Sequence, residues 1–156
     1  MMLATKTPTS RARGIRAGYR SGLEELVAQQ LKRLGIDGAY ESLKIPYTPP
    51  SKLRHYTPDF ILPNGIIIET KGRFITADRQ KHKYIKSEHS ALDIRFVFSN
   101  AKTKLSKSSP TTYGKWCEQH GFLYSVRCIP KDWLLEPPCP HRLNALSSIK
   151  SSTLTL

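Results

Sequence analysis

The sequence predicts an α/β protein, a mixed β-sheet flanked by helices. Three observations carry that expectation. Apolar spacing changes along the chain in the order helix, strand, hairpin, helix, strand, helix, strand, which suits strands alternating with covering helices. Residues 56–72, YTPDFILPNGIIIETKG, read as two short strands around a tight turn. Ile94–Phe98 (IRFVF) reads as a central strand. The 156 residues suffice for one domain with its own core, set here at 21–137, between a basic arm at 1–20 and a flexible tail at 138–156.

The arm holds Lys6, Arg11, Arg13, Arg16 and Arg20 and no acid. It suits a disordered segment lying along a phosphate backbone. Its composition also resembles a transit peptide, but nothing like a cleavage site follows. Ser21 and Glu24 form a capping box before a helix carrying Leu23, Leu26, Val27, Leu31 and Leu34, which Gly35 stops. Ala39 to Tyr47 reads as one strand with Leu43, Ile45 and Tyr47 on one face. Pro46, Pro49 and Pro50 then argue against regular pairing and stiffen an extended connector, the one plausible hinge of the chain.

In the hairpin, Phe60-Ile61-Leu62 and Ile66-Ile67-Ile68 flank Pro63-Asn64-Gly65. Pro63 suits a type I turn and Gly65 the left-handed position that closes a three-residue loop. That loop sets Phe60 opposite Ile68 and Asp59 opposite Glu69, with Lys71 on the same face. A two-residue Asn-Gly loop instead sets Asp59 against Thr70 and scatters the charged group. After Gly72, a helix capped by Thr76 runs to His89 and carries Arg79, Lys81, His82, Lys83 and Lys86. Past Ile94–Phe98 come a loop bearing Lys102, Lys104 and Lys107, and a short helix capped by Thr112 and stopped by Gly121. Leu123–Val126 follows as a further strand, then a turn at Pro130 and Trp133, then a Pro-, Ser- and Thr-rich end expected to fray.

Charge narrows the function. Twenty-five Lys and Arg against 12 Asp and Glu give +13, which points to a polyanionic partner, nucleic acid before an anionic membrane. Arg16, Arg20, Arg79, Lys81, His82, Lys102 and Lys104 are the expected DNA-contacting residues. No apolar run approaches the roughly 20 residues that span a bilayer, so a soluble, intracellular protein with no membrane partner is expected. Cys117, Cys128 and Cys139 show no metal-ligand spacing and read as reduced thiols. Asp59 and Glu69 on one face suit Mg²⁺, which takes hard oxygen ligands and polarises phosphodiesters. Lys71 beside them suits an attacking water or the charge developing on a phosphate. A hairpin ending in a solvated Glu-Lys pair explains the same letters structurally.

Pro58-Asp59 followed by Glu69-Thr70-Lys71 resembles the PD-(D/E)xK motif of the restriction-endonuclease-like fold. The wider pattern is more specific: Arg20-Ser21-Gly22-Leu23-Glu24, Tyr56-Thr57-Pro58-Asp59-Phe60, Leu62-Pro63-Asn64-Gly65-Ile66, Glu69-Thr70-Lys71-Gly72, Leu92-Asp93-Ile94-Arg95 and Ser109-Pro110-Thr111, in that order. From about Gly14 to Pro137 the chain resembles the endonuclease I family of T7-like bacteriophages, Holliday-junction resolvases. The resemblance implies a Mg²⁺-dependent endodeoxyribonuclease, with Mn²⁺ able to substitute, acting on four-way and branched DNA. It implies Glu24, Asp59, Glu69 and Lys71 as catalytic residues. The metal ligands it implies are Asp59, Glu69, Glu24 and the Thr70 backbone. It also implies a homodimer with exchanged segments, crossing near Pro46–Pro50, and the host cytoplasm if the gene is a phage's. The Ser/Thr-rich end and the longer arm depart from the family pattern. A restriction- or mismatch-type nuclease on the same fold, a non-catalytic DNA-binding protein and an RNA nuclease are the alternatives.

Overall fold

The three-residue turn sets the register of the sheet. In the computed structural model, which describes residues 18–49 and 52–153, Gly65 takes φ +87°. The Leu62 N–H donates to the Ile66 carbonyl at 2.8 Å, and the Gly65 N–H to the Leu62 carbonyl at 2.9 Å. Strand β4 (Phe60–Ile61) thereby pairs antiparallel with β5 (Ile66–Lys71), Phe60 opposite Ile68 as the turn chemistry predicts. Helix α1 (Gly22–Arg33), β1 (Ala39–Tyr40), β2 (Ile45–Tyr47) and β3 (Arg54–Tyr56) precede this pair. After it come α2 (Thr76–Glu88), β6 (Asp93–Phe98), α3 (Tyr113–His120), β7 (Tyr124–Val126), α4 (Lys131–Leu135) and α5 (Pro140–Thr153). The five-stranded sheet has the order β1-β4-β5-β6-β7, with β5, β6 and β7 parallel and β1 and β4 antiparallel. It is the expected mixed sheet with helices on both faces.

Those faces hold different partners. Ile67, Ile94, Phe96 and Phe98 pack with Tyr56, Ile85, Trp116, Leu146 and Ile149. Phe60, Ile66, Ile68 and Val97 pack with Val27, Leu31 and Ile129. Residues 66–70 of β5 are all buried, as a strand covered on both sides requires. Leu26 and Leu34, expected on the core side of α1, are 52% and 55% exposed.

Further expectations fail. Ala39–Tyr47 is not one strand: Glu41 turns the chain at φ +43°, and β2 leaves to pair with β3 in a separate two-stranded ribbon. Pro46 sits inside that ribbon opposite His55, because a two-stranded ribbon asks each residue to bond on one side only. The end expected to fray is helix α5, anchored by buried Arg142, Leu146 and Ile149. Arg142 donates to Asp93 Oδ2 at 3.0 Å and to Glu136 Oε1 at 2.6 Å, and Arg95 joins the same two carboxylates. Thr76 does not cap α2: Ile75 holds that position, and the Thr76 hydroxyl accepts from Arg79. The arm up to Ala17, Arg16 within it, and Pro50 lie outside the described residues. Among those described, no helix is long and apolar enough to cross a membrane.

The C-terminal segment also seals the hairpin. Asn64 donates to the carbonyls of Trp133 and Glu136, both at 2.9 Å. A Cβ on Gly65 meets the Arg142 Cβ at 3.0 Å and Leu143 Cδ2 at 3.3 Å. Gly65→Ala therefore combines a left-handed backbone with a crowded neighbour. Its expected loss of stability is about 1–3 kcal/mol, read from the midpoint of urea unfolding.

Candidate active site

The charged group of the hairpin assembles where β5 ends. Asp59 lies just before β4 and turns onto β5: its Oδ2 accepts from the Thr70 N–H at 2.8 Å and from the Thr70 hydroxyl at 2.7 Å. Glu69 is 3% exposed. Its Oε2 accepts from the Tyr56 hydroxyl at 2.7 Å, and its Oε1 lies 3.1 Å from Lys71 Nζ. Lys71 also reaches Asp78 of α2 at 3.4 Å, and Lys81 stands 3.9 Å from the same carboxylate. The lysine thus bridges strand and helix.

Burial sets the protonation of the group. It pushes Asp59 up to about 7, with the charges of Glu69 and Glu24 adding to it and the two Thr70 hydrogen bonds opposing it. Burial also disfavours the Glu69 anion, but His82, Lys71, Lys81 and the Tyr56 hydroxyl outweigh it, and the carboxyl stays below its ordinary value. His82 is itself pushed down to about 4 by burial, so near neutral pH the lysines and Tyr56 provide that support. Burial lowers Lys71, yet Glu69, Asp78 and Asp59 more than reverse this, and its amine stays an ammonium.

Glu24 approaches from the other face of the sheet. Ser21 caps α1 by accepting from the Glu24 N–H at 3.2 Å. The Glu24 carboxylate reaches back one residue further than a capping box requires, accepting from the Arg20 N–H at 2.9 Å. The Tyr40 hydroxyl donates to the same oxygen at 2.6 Å. Glu24 is buried and within electrostatic range of Asp59, so its capping contacts leave it a candidate for the site.

The expected DNA-contacting residues divide. His82 is excluded: it is 0% exposed, packed edge-on to Tyr56 and Phe96, with Nδ1 2.9 Å from the Asp78 carbonyl. Its place one turn before Ile85 points it into the sheet. Arg79 is held by the Phe74 carbonyl and Thr76, and Lys81 lies over the Tyr56 ring. Arg20 is exposed and paired with Glu41 at 2.8 Å. Lys102 and Lys104 are exposed on the loop after β6. That loop starts beside Lys71, since the Ser99 N–H donates to the Lys71 carbonyl at 3.1 Å. Sequence reasoning missed Tyr56, Tyr40 and Asp78 as neighbours of the site. Tyr56 is legible as part of YTPDF, but only the fold shows which carboxylate it meets.

The donor set suits a hard cation. Among the described residues no three His, Cys, Asp or Glu side chains converge as a ready metal cage. The buried Glu69 and half-buried Asp59 carboxylates, with the Thr70 backbone beside them, suit an ion that keeps several waters. Burial first, and then the neighbouring charges of Glu69 and Glu24, hold Asp59 above the usual carboxylate range, and a cation bound there would favour its ionised form.

A mixed α/β sheet with two carboxylates and an ammonium gathered at one strand end defines a candidate hydrolytic centre on an α/β scaffold. A family model, phage endonuclease I, matches residues 5–153. Endonuclease I of Escherichia phage T7 is 51% identical over 128 residues, 81% of this chain and 86% of that protein. Endodeoxyribonuclease 1 of Enterobacteria phage T3 is 52% identical over 119 residues, 76% of this chain and 78% of that protein. The chain belongs to the phage endonuclease I family.

Thr70→Val keeps the backbone donor to Asp59 and removes the hydroxyl that lowers its pKa. In the metal-free protein the Asp59 carboxyl titration, followed by NMR, is expected to move upward from about 7.

Proposed function

We propose that this protein is a metal-dependent DNA endonuclease that cuts four-way and other branched DNA. It would do so as a two-fold dimer on a restriction-endonuclease-like fold, in the cytoplasm of a phage's host. The observation that carries the reading is the convergence of Asp59, Glu69 and Lys71 at one strand end in a chain of the phage endonuclease I family. A charge of +13 supplies attraction to any DNA backbone, and shape rather than base sequence would select the junction.

Asp59, Glu69 and the Thr70 backbone would hold Mg²⁺, with Glu24 a further carboxylate at the site and Mn²⁺ an accepted substitute. When bound, the ion polarises the phosphodiester and acidifies a water. The protein's own part is electrostatic and geometric. Lys71, kept as an ammonium by Glu69 and Asp78, suits stabilising charge on the phosphate rather than taking a proton. Thr70 fixes one oxygen of Asp59, so that carboxylate enters the reaction already oriented. Arg20, Lys102 and Lys104 offer exposed charge for the DNA arms.

Exchange of segments between protomers has a physical basis here. Val27 and Leu31 of α1 pack with Phe60, Ile66 and Ile68 of the same chain. A partner's helix would make the same contacts after crossing at the Pro46–Pro49 stretch, so the exchanged form needs no new interface chemistry.

Purified protein incubated with an immobile four-way junction should give paired, symmetric nicks in Mg²⁺ and none in EDTA, while a linear duplex of the same sequence stays intact. Cutting of both substrates removes the junction preference. Tight binding without scission in Mg²⁺ or Mn²⁺ makes the carboxylates structural. Asp59→Ala or Lys71→Ala is expected to lower the cleavage rate at least 10³-fold, on the order of 4 kcal/mol, with junction affinity retained in gel shifts. Exchange has its own test. Glu24→Ala and Asp59→Ala chains, each inactive alone, are unfolded and refolded together. Exchanged heterodimers regain one intact site and nick one strand; dimers without exchange regain nothing.

A further inference from the structure

Resting on that reading, we propose that Tyr56 is a positioning residue: its hydroxyl holds one oxygen of the Glu69 carboxylate and so fixes the plane of the group, with the other oxygen toward Lys71 and the metal-binding side. The hydroxyl donates to Oε2 at 2.7 Å, and Lys71 Nζ stands 3.1 Å from Oε1. The two oxygens therefore have different partners. Without the phenol donor the carboxylate plane turns at little energetic cost, because the torsion about the last side-chain bond is broad.

The tyrosine is itself held from all sides. It is 2% exposed and ends β3, where it pairs with Ile45 of β2. Its ring meets His82 edge-on at 5.1 Å, and Lys81 caps it at 5.1 Å from the centroid. His82 does not duplicate this role. Its Nδ1 is committed to the Asp78 carbonyl, and its Nε2 stands 3.9 Å from Glu69 Oε1, beyond hydrogen-bond reach. Among the described residues, Tyr56 is the one side chain with a hydrogen bond to Oε2.

The test compares wild type, Tyr56→Phe and Tyr56→p-aminophenylalanine, which restores an N–H donor in the same place. Ile85→Val serves as a packing control at a fully buried residue of the same core cluster. Mn²⁺ binding is measured directly by electron paramagnetic resonance, junction affinity in EDTA by gel shift, and folding by thermal melting. The expected result is a three- to ten-fold weaker Mn²⁺ affinity for Tyr56→Phe with junction affinity unchanged, rescue by p-aminophenylalanine, and no change for Ile85→Val. Unchanged Mn²⁺ affinity in folded Tyr56→Phe overturns the proposal. So does a loss matched by Ile85→Val, or one that the amine fails to rescue. Wild-type protein that binds no Mn²⁺ sinks the metal-dependent reading itself, a separate outcome visible before any variant is compared.

Discussion

Burying a carboxylate in a protein interior is costly unless its charge is met at close range, and the architecture around Glu69 follows from that. The side chain is 3% exposed; β3 sends it the Tyr56 hydroxyl and β5 the Lys71 ammonium, while the His82 ring of α2 packs 3.9 Å away. Lys71 in turn needs Asp78, which ties the first turn of α2 to the end of β5. Moving any of these elements leaves a buried ion without its partner. The position of α2 over the sheet is therefore an electrostatic matter as well as one of packing.

The sheet acts as a partition between carboxylates. Glu24 arrives with α1 on the face of Phe60 and Ile68, and Glu69 stands with Tyr56 and His82 on the face of Ile67 and Phe96. Asp59 lies at the rim, where it feels both charges. Each of the two flanking acids accepts a tyrosine hydroxyl, Tyr40 for Glu24 and Tyr56 for Glu69. Tyrosine suits the task because its ring joins the core while its O–H extends to the charged rim.

What the sequence disclosed tracks how local each determinant is. Pro63 and Gly65 fix the hairpin register within three residues, and the Asp59–Glu69–Lys71 group follows from that register. Ser21, Thr112 and Gly121 mark helix ends by chemistry that acts over a single turn, and all three do so in the structure. The break at Glu41 was hidden, since a glutamate carries no signal for a left-handed backbone. Its position is stabilised from afar, by its N–H donating to the Asp59 carbonyl and by the pair with Arg20. Helix α5 was hidden for the same reason. Its Ser-rich letters look polar, and its anchor Arg142 meets Asp93, 49 residues earlier in the chain. His82 reads as one more cation in a basic run. Only its shared face with Ile85 removes it from the surface.

The bonds from Asn64 to Trp133 and Glu136 span 69 and 72 residues. Their timing during synthesis follows from that separation. At about 5–20 residues per second, the ribosome finishes the hairpin on the order of ten seconds before the segment that covers its turn exists. Until then the turn rests on its own local bonds, and α5 has yet to close over Gly65. The hairpin turn is thus covered only once residues 133–143 have emerged, a property of connectivity that no side chain near the candidate site reveals.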